Sequence, residues 1–276
     1  MFMSQNSRTL VNIIGIPFII LSIYIGGLFF NLVVSITILL GTKEFINLAK
    51  KNRAQVSNWL LFLSLIIFII VTNYIGWINP AMLIGIYISS YFYIIPFVII
   101  AMIIEIFKKS DSPLFNISST IFGFIWIGLF LSALIPLRET AGASLTLSII
   151  VSIWVCDTFA YYFGKKFGKK KIMPSVSPNK TWLGTLAGLF GALLFLLILS
   201  YFKLIDINLF QSILIGIITG GISQFGDFFE SALKRSADLK DTSNILRGHG
   251  GILDRFDSLF ISAPLLLILI MLIKMF

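Results

Sequence analysis

Apolar residues in this chain do not alternate with polar ones; they run. Stretches of Ile, Leu, Phe and Val long enough to cross a bilayer as a helix, about 20 residues, recur from one end to the other. They fall at roughly 10–25, 28–48, 58–77, 82–107, 115–136, 143–163, 181–203, 207–231 and 253–274. Gly26-Gly27 breaks an apolar run too long for a single span, and Pro96 is placed to kink the fourth. An outer-membrane barrel would instead alternate in segments of about 10 residues. The pattern therefore predicts an all-α, polytopic integral membrane protein with about nine transmembrane helices. It reads as one membrane domain, 1–276, with an N-terminal helical part, 1–136, and a part that carries the chemistry, 137–276.

Composition agrees. The 276 residues are 58% hydrophobic and 12% charged, with a mean hydropathy of +0.99, whereas soluble domains carry about 25% charged residues. Of the 21 Lys and Arg, all but Arg138, Lys203 and Lys274 fall on one face if the N-terminus is inside. That asymmetry predicts an inside N-terminus, an outside C-terminus and loops 164–180 and 232–252 in the cytoplasm. Topology alone accounts for Lys43 to Arg53. The 164–180 loop, lysine-rich and free of acids, would also attract anionic lipid head groups or a polyphosphate. The single Cys156 lies in an apolar run and reads as a buried structural thiol. The N-terminus lacks a small-x-small cleavage site and reads as a retained first helix.

Against this background one polar stretch stands out. Ser223 to Ser258 holds half of the chain's 12 Asp and Glu, together with its only histidine, His249. Asp227 with Glu230, and Asp254 with Asp257, are three apart, a spacing that puts each pair on one helix face. Oxygen ligands without thiolates suit a hard cation, Mg²⁺ or Mn²⁺. The competing reading is salt bridging to Lys234, Arg235 or Arg255, and it is strongest for Glu230, four residues before Lys234. Gly248-His249-Gly250-Gly251 precedes the last helix. Glycines there would let a phosphate approach the backbone and the free N–H groups of a helix start, or would simply turn the chain. Lys234, Arg235, Lys240 and Arg247 flank this turn, and His249 could donate to a phosphate, act as an acid or serve structure alone. A second patch has Asp157 inside an apolar run, where a carboxylate needs a partner. It is followed by Ser177-Pro178-Asn179-Lys180-Thr181-Trp182, whose Ser and Thr could bind ligand or only cap a helix.

The run from Ser231 to Ser258 resembles the signature of phosphatidate cytidylyltransferases. Ser231, Lys234, Arg235, Lys240, Asp241, Gly248, His249, Gly250, Gly251, Asp254, Arg255 and Asp257 match it in order and spacing. Gly226-Asp227, Asp157 and Ser177-Pro178 with Lys180-Thr181 resemble further family elements. Arg247 stands where the family usually has proline, and Leu183 where it usually has glutamate.

The resemblance implies transfer of CMP from CTP to phosphatidic acid at the cytoplasmic face of the inner membrane. It implies Mg²⁺, with K⁺ as an optional companion, held by Asp227, Asp254 and Asp257 with Asp157 and Asp241 nearby. It places Lys180, Lys234, Arg235 and His249 on phosphates, and assigns Ser177, Thr181, Lys240, Gly248, Gly250, Gly251 and Arg255 to nucleotide binding. The expected partners are CTP, phosphatidic acid and the bilayer; a homodimer is allowed, and no nucleic acid is expected. The rival readings are a CTP-dependent lipid kinase or a nucleotidyltransferase for another lipid phosphate. More remote are an ion-coupled transporter using Asp157 and Asp227, or a catalytically dead scaffold.

Overall fold

The computed structural model describes residues 3–78, 91–245 and 250–275. Its helices are α1 (Met3–Ile25), α2 (Gly27–Lys51), α3 (Asn58–Ile78), α4 (Tyr91–Lys108) and α5 (Pro113–Gly123). They continue with α6 (Leu134–Phe167), α7 (Trp182–Tyr201), α8 (Leu209–Ile217), α9 (Ser223–Ser236) and α10 (Leu253–Met275). Among the described residues there is no strand, only an isolated bridge between Lys171 and Thr181. Five helical stretches are long and apolar enough to cross a membrane: Gly27–Lys51, Pro113–Phe167, Trp182–Tyr201, Leu209–Ser236 and Leu253–Lys274. Ile13–Ile25 and Asn58–Asn73 are shorter apolar helices. The molecule is thus a helical membrane protein. The first part of the expected fourth run, 82–90, lies outside the described residues.

The breaks fall where the backbone leaves the helical region. Gly26 and Gly27 have φ of 66° and 50°, left-handed values that glycine adopts without a Cβ clash. Arg138 fills the space above Gly26, donating from Nε to the Ile23 carbonyl at 2.7 Å and from Nη2 to that of Tyr24 at 3.4 Å. An arginine thus closes the C-terminal end of α1, where free carbonyls collect partial negative charge. Gly142, with φ 77° and ψ 172°, interrupts α6 between the runs expected at 115–136 and 143–163.

Two π-helical turns, Phe124–Leu129 and Ile218–Ile222, link α5 to the short helix before α6 and α8 to α9. The second leaves the Gly220 carbonyl free to accept from Gln224 Nε2 at 2.5 Å and from Cys156 Sγ at 3.4 Å, and such turns re-aim the side chains that follow.

Small residues set the closest approaches. A Cβ on Gly184 would sit 2.7 Å from the Ala160 carbonyl, and one on Gly188 2.9 Å from that of Cys156, so α6 and α7 meet backbone to backbone. The core is aromatic: Trp126 lies 5.3 Å from Phe122, 5.6 Å from Phe229 and 5.0 Å from Phe260, centroid to centroid. Phe190, Leu194 and Ile198 on α7 face outward, as lipid-facing positions do.

Candidate active site at one end of the bundle

Four elements converge at one end of the bundle: the C-terminal half of α6, the turn before α7, α9 with the loop after it, and the first turns of α10. Gly226 decides how closely α9 and α10 pass. A Cβ there would meet the Ser258 Cα at 3.2 Å and run into the Asp257 backbone, so glycine lets Asp227 come beside Asp257. Asp157, Asp227 and Asp257 interact electrostatically with one another, and Lys180 and Arg255 counter their charge. Lys180 forms an ion pair with Asp227, and its amine lies 4.3 Å from the centre of the Phe228 ring. Asp157 is exposed, and Asp227 and Asp257 are half-buried, so the group opens outward.

A second, closed cluster lies beside it. Each Asp254 oxygen already has donors: Oδ1 accepts from Lys234 Nζ at 2.6 Å, and Oδ2 from Gly251 N at 2.7 Å and Thr242 N at 2.9 Å. The Thr242 hydroxyl lies 2.8 Å from the same Oδ2. Lys234 also pairs with Glu230 at 3.3 Å, which is fully buried. Glu44, from α2, completes the cluster by accepting from Ile252 N and Leu253 N, both at 2.9 Å. Beyond the loop, a cavity of about 670 Å³ is lined by Lys50, Lys51, Lys240, Asp241, Ser243 and Asn244 among others.

The chain matches the Cytidylyltransferase family over residues 6–273. A phosphatidate cytidylyltransferase of Staphylococcus aureus is 32% identical over 265 residues, covering 95% of this chain and 98% of the relative. Those of Staphylococcus epidermidis and Staphylococcus haemolyticus are each 30% identical over 263 residues, with the same coverage. The chain belongs to the cytidylyltransferase family.

Family membership gives weight to the way the two clusters divide the signature residues. Asp157, Asp227 and Asp257 lie within electrostatic reach of one another, and their oxygen-only chemistry is of the kind that suits Mg²⁺. Among the described residues no three acid, Cys or His side chains are drawn together as a finished ligand set, and in this conformation the Lys180 ammonium stands in beside Asp227. Asp254, expected beside them as a ligand, ties the loop to the helix in this structure, with donors on both oxygens. Lys234, expected on a phosphate, has its amine shared between two carboxylates here. Glu230 pairs with Lys234, as its spacing suggests.

The helix start offers no free N–H groups at Gly251, Ile252 or Leu253, since Asp254 and Glu44 occupy them. Gly250 and Gly251 serve close fit. Gly250 has φ 81°, and a Cβ there would stand 2.6 Å from Asp254 Oδ2; a Cβ on Gly251 would collide with Glu44 and Thr242. Thr181 is buried and caps α7, accepting from Gly184 N at 3.1 Å, so the capping role is the one its hydroxyl performs. Ser177 takes part in a backbone turn through its N–H to Met173 O at 2.8 Å. Arg235 is exposed and joins the two loops, donating to Val176 O at 3.3 Å and Leu239 O at 2.8 Å. Lys240 and Asp241 line the cavity, and Arg255 is exposed. Arg247, Gly248 and His249 lie outside the described residues.

The residue that sequence reading missed is Glu44. Its signal was present: an acid inside the apolar run 28–48 is as anomalous as Asp157, and the same rule singles it out.

Proposed function

We infer that the protein is a phosphatidate cytidylyltransferase, which joins CTP and phosphatidate into CDP-diacylglycerol and pyrophosphate. The observation that carries this reading is a family match spanning 6–273 whose signature acids and bases gather at one end of apolar helices. A phosphate oxygen of the lipid attacks the α-phosphorus of CTP. The new P–O bond forms as the α–β anhydride breaks, and pyrophosphate leaves with the electron pair. Such chemistry asks the protein for positioning and charge neutralisation. Lys180 and Arg255, which counter the charge of the acid group, and Arg235, which joins the two loops, face the phosphates. Asp157, Asp227 and Asp257 would hold Mg²⁺, which when bound neutralises charge on the triphosphate. Asp254, Lys234 and Glu230 shape the floor beneath them. The acyl chains remain in lipid while the head group reaches the site.

The apolar runs support about nine spans, and the charge asymmetry supports an inside N-terminus and a site on the cytoplasmic face. The test is pyrophosphate release by the purified protein, measured with labelled CTP, Mg²⁺ and dioleoyl phosphatidic acid. Release that requires all three is the expected result. Label transferred to a polyprenol or to another lipid phosphate, with none to phosphatidic acid, would overturn the acceptor and favour a related lipid kinase or nucleotidyltransferase.

A further inference from the structure

Helix α2 lies far outside the signature, yet its polar atoms grip the signature directly. Glu44 is only 1% exposed. Its Oε1 accepts from the Ser243 hydroxyl at 2.6 Å and from Ile252 N at 2.9 Å. Its Oε2 accepts from Leu253 N at 2.9 Å and lies 3.0 Å from the Thr242 hydroxyl, whose single proton is shared with Asp254. Every group facing this carboxylate is a donor, and each oxygen joins one loop hydroxyl to one helix N–H. An amide cannot satisfy all of them: the hydroxyls can turn to accept from its NH₂, but on either side that NH₂ meets a backbone N–H, which can only donate. Around it, Gly41 makes room for Leu253, and Asn52 Nδ2 donates to the Leu233 carbonyl at 3.4 Å, so α2 holds both α9 and α10.

We propose that Glu44 is a positioning residue for cytidylyl transfer: by tying Thr242 and Ser243 to the first turn of α10 it sets the direction in which Asp257 leaves that turn. Asp257 follows Leu253 by four residues, one turn along the same helix face. A rotation of that turn swings the Asp257 carboxylate away from Asp227. The same tie fixes the neighbouring Lys240-Asp241 pair at the rim of the cavity. Glu44 touches neither nucleotide nor lipid in this role. The proposal rests on reading the site as the place where CTP and phosphatidate react.

The experiment compares the full-length wild type with Glu44→Gln in lipid nanodiscs. Glu139→Gln serves as a control, because Glu139 is an exposed acid near the start of α6, whereas Asp157 lies in its C-terminal half. Three readouts are taken: thermal midpoint, initial rates over CTP and phosphatidate separately, and amide hydrogen exchange of the 241–254 segment. The expected result for Glu44→Gln is faster exchange in that segment and a fall of about tenfold or more in kcat/KM for CTP. The KM for phosphatidate stays near the wild-type value, and the midpoint stays well above the assay temperature. A Glu44→Gln protein with wild-type exchange and turnover would overturn the proposal. So would a loss of rate that only tracks the loss of folded protein. If the wild type itself makes no CDP-lipid, the proposed reaction fails, and exchange in the 241–254 segment still decides whether Glu44 holds the turn.

Discussion

Asp254→Asn and Asp257→Asn change the same atoms one helical turn apart, and the structure predicts different outcomes. Asp254 is 6% exposed and accepts on both sides: Lys234 on one, the Gly251 and Thr242 donors on the other. An asparagine can keep only one of these sides. The cheaper choice keeps its oxygen on Gly251 and Thr242 and turns its NH₂ towards the Lys234 ammonium. That loses a charge-assisted bond of 2.6 Å and sets two donors against each other, at a cost of about 2–3 kcal/mol. Lys234 is left with Glu230 alone, at 3.3 Å. Among the described residues Asp257 Oδ1 accepts from the adjacent Ser258 N alone, at 2.6 Å, a bond that asparagine retains. Its substitution should therefore spare the fold. Removing one charge from the open acid group should lower kcat at least a hundredfold, about 2.7 kcal/mol of transition-state stabilisation. Thermal unfolding of the detergent-solubilised proteins, paired with Mg²⁺-dependent initial rates, separates the two. Asp254→Asn should lose both midpoint and rate, and Asp257→Asn rate alone. Equal midpoints for the two variants would refute the division into clamp and open group. Near-normal turnover in Asp257→Asn would remove the cation assignment.

Three further outcomes follow from the packing. Thr181→Ala should destabilise the protein by about 1 kcal/mol through loss of the α7 cap; an unchanged thermal midpoint would mean the cap contributes nothing. Gly226→Ala should cost about 1–3 kcal/mol of overpacking where α9 crosses α10 and should depress turnover, because the new methyl displaces Asp257. Gly221→Ala, whose Cβ would meet only Leu189 Cδ1 at 3.6 Å, is the matched control, and equal effects of the two would discount the crossing. Asn179→Cys should react with an impermeant thiol reagent only from the cytoplasmic side, and Asp206→Cys only from the other. The reverse pattern at either position would overturn the orientation.

Much of the helical layout was legible, because a span needs only a run of apolar residues and a break needs only glycine or a polar turn. Gly26-Gly27 and the polar turn before Trp182 announce themselves in this way. That acids mark the site was legible in part: spacing groups Asp227 with Glu230 and Asp254 with Asp257, because acids are scarce in so apolar a chain, while Asp157 reads as a second patch. What each acid faces was not. Asp254 and Asp257 have the same spacing from their neighbours, yet one turns towards Lys234 and Thr242 and the other towards Asp227. Helical periodicity gives a face, not a partner. Thr181 allowed both a cap and a ligand role until the position of Gly184 N was known. For Glu44 the partners lie as far as 209 residues away in sequence, beyond the reach of any local pattern.

That distance bears on how the chain divides. An apparent boundary near 136 separates a stretch without signature residues from one that holds them all, and it suggests an accessory part followed by a catalytic one. The contacts across it argue otherwise. Glu44 supplies the acceptors for the Ile252 and Leu253 N–H groups, which would otherwise be buried donors without partners, at about 1–3 kcal/mol each. Trp126, 2% exposed, packs against Phe229 and Phe260, one on each helix of the acid pair. Gly41 receives Leu253. Removing the N-terminal helices would therefore expose the apolar backs of α9 and α10 and release the turn that aims Asp257. The N-terminal part is the back wall of the site, and the signature residues depend on it for their directions.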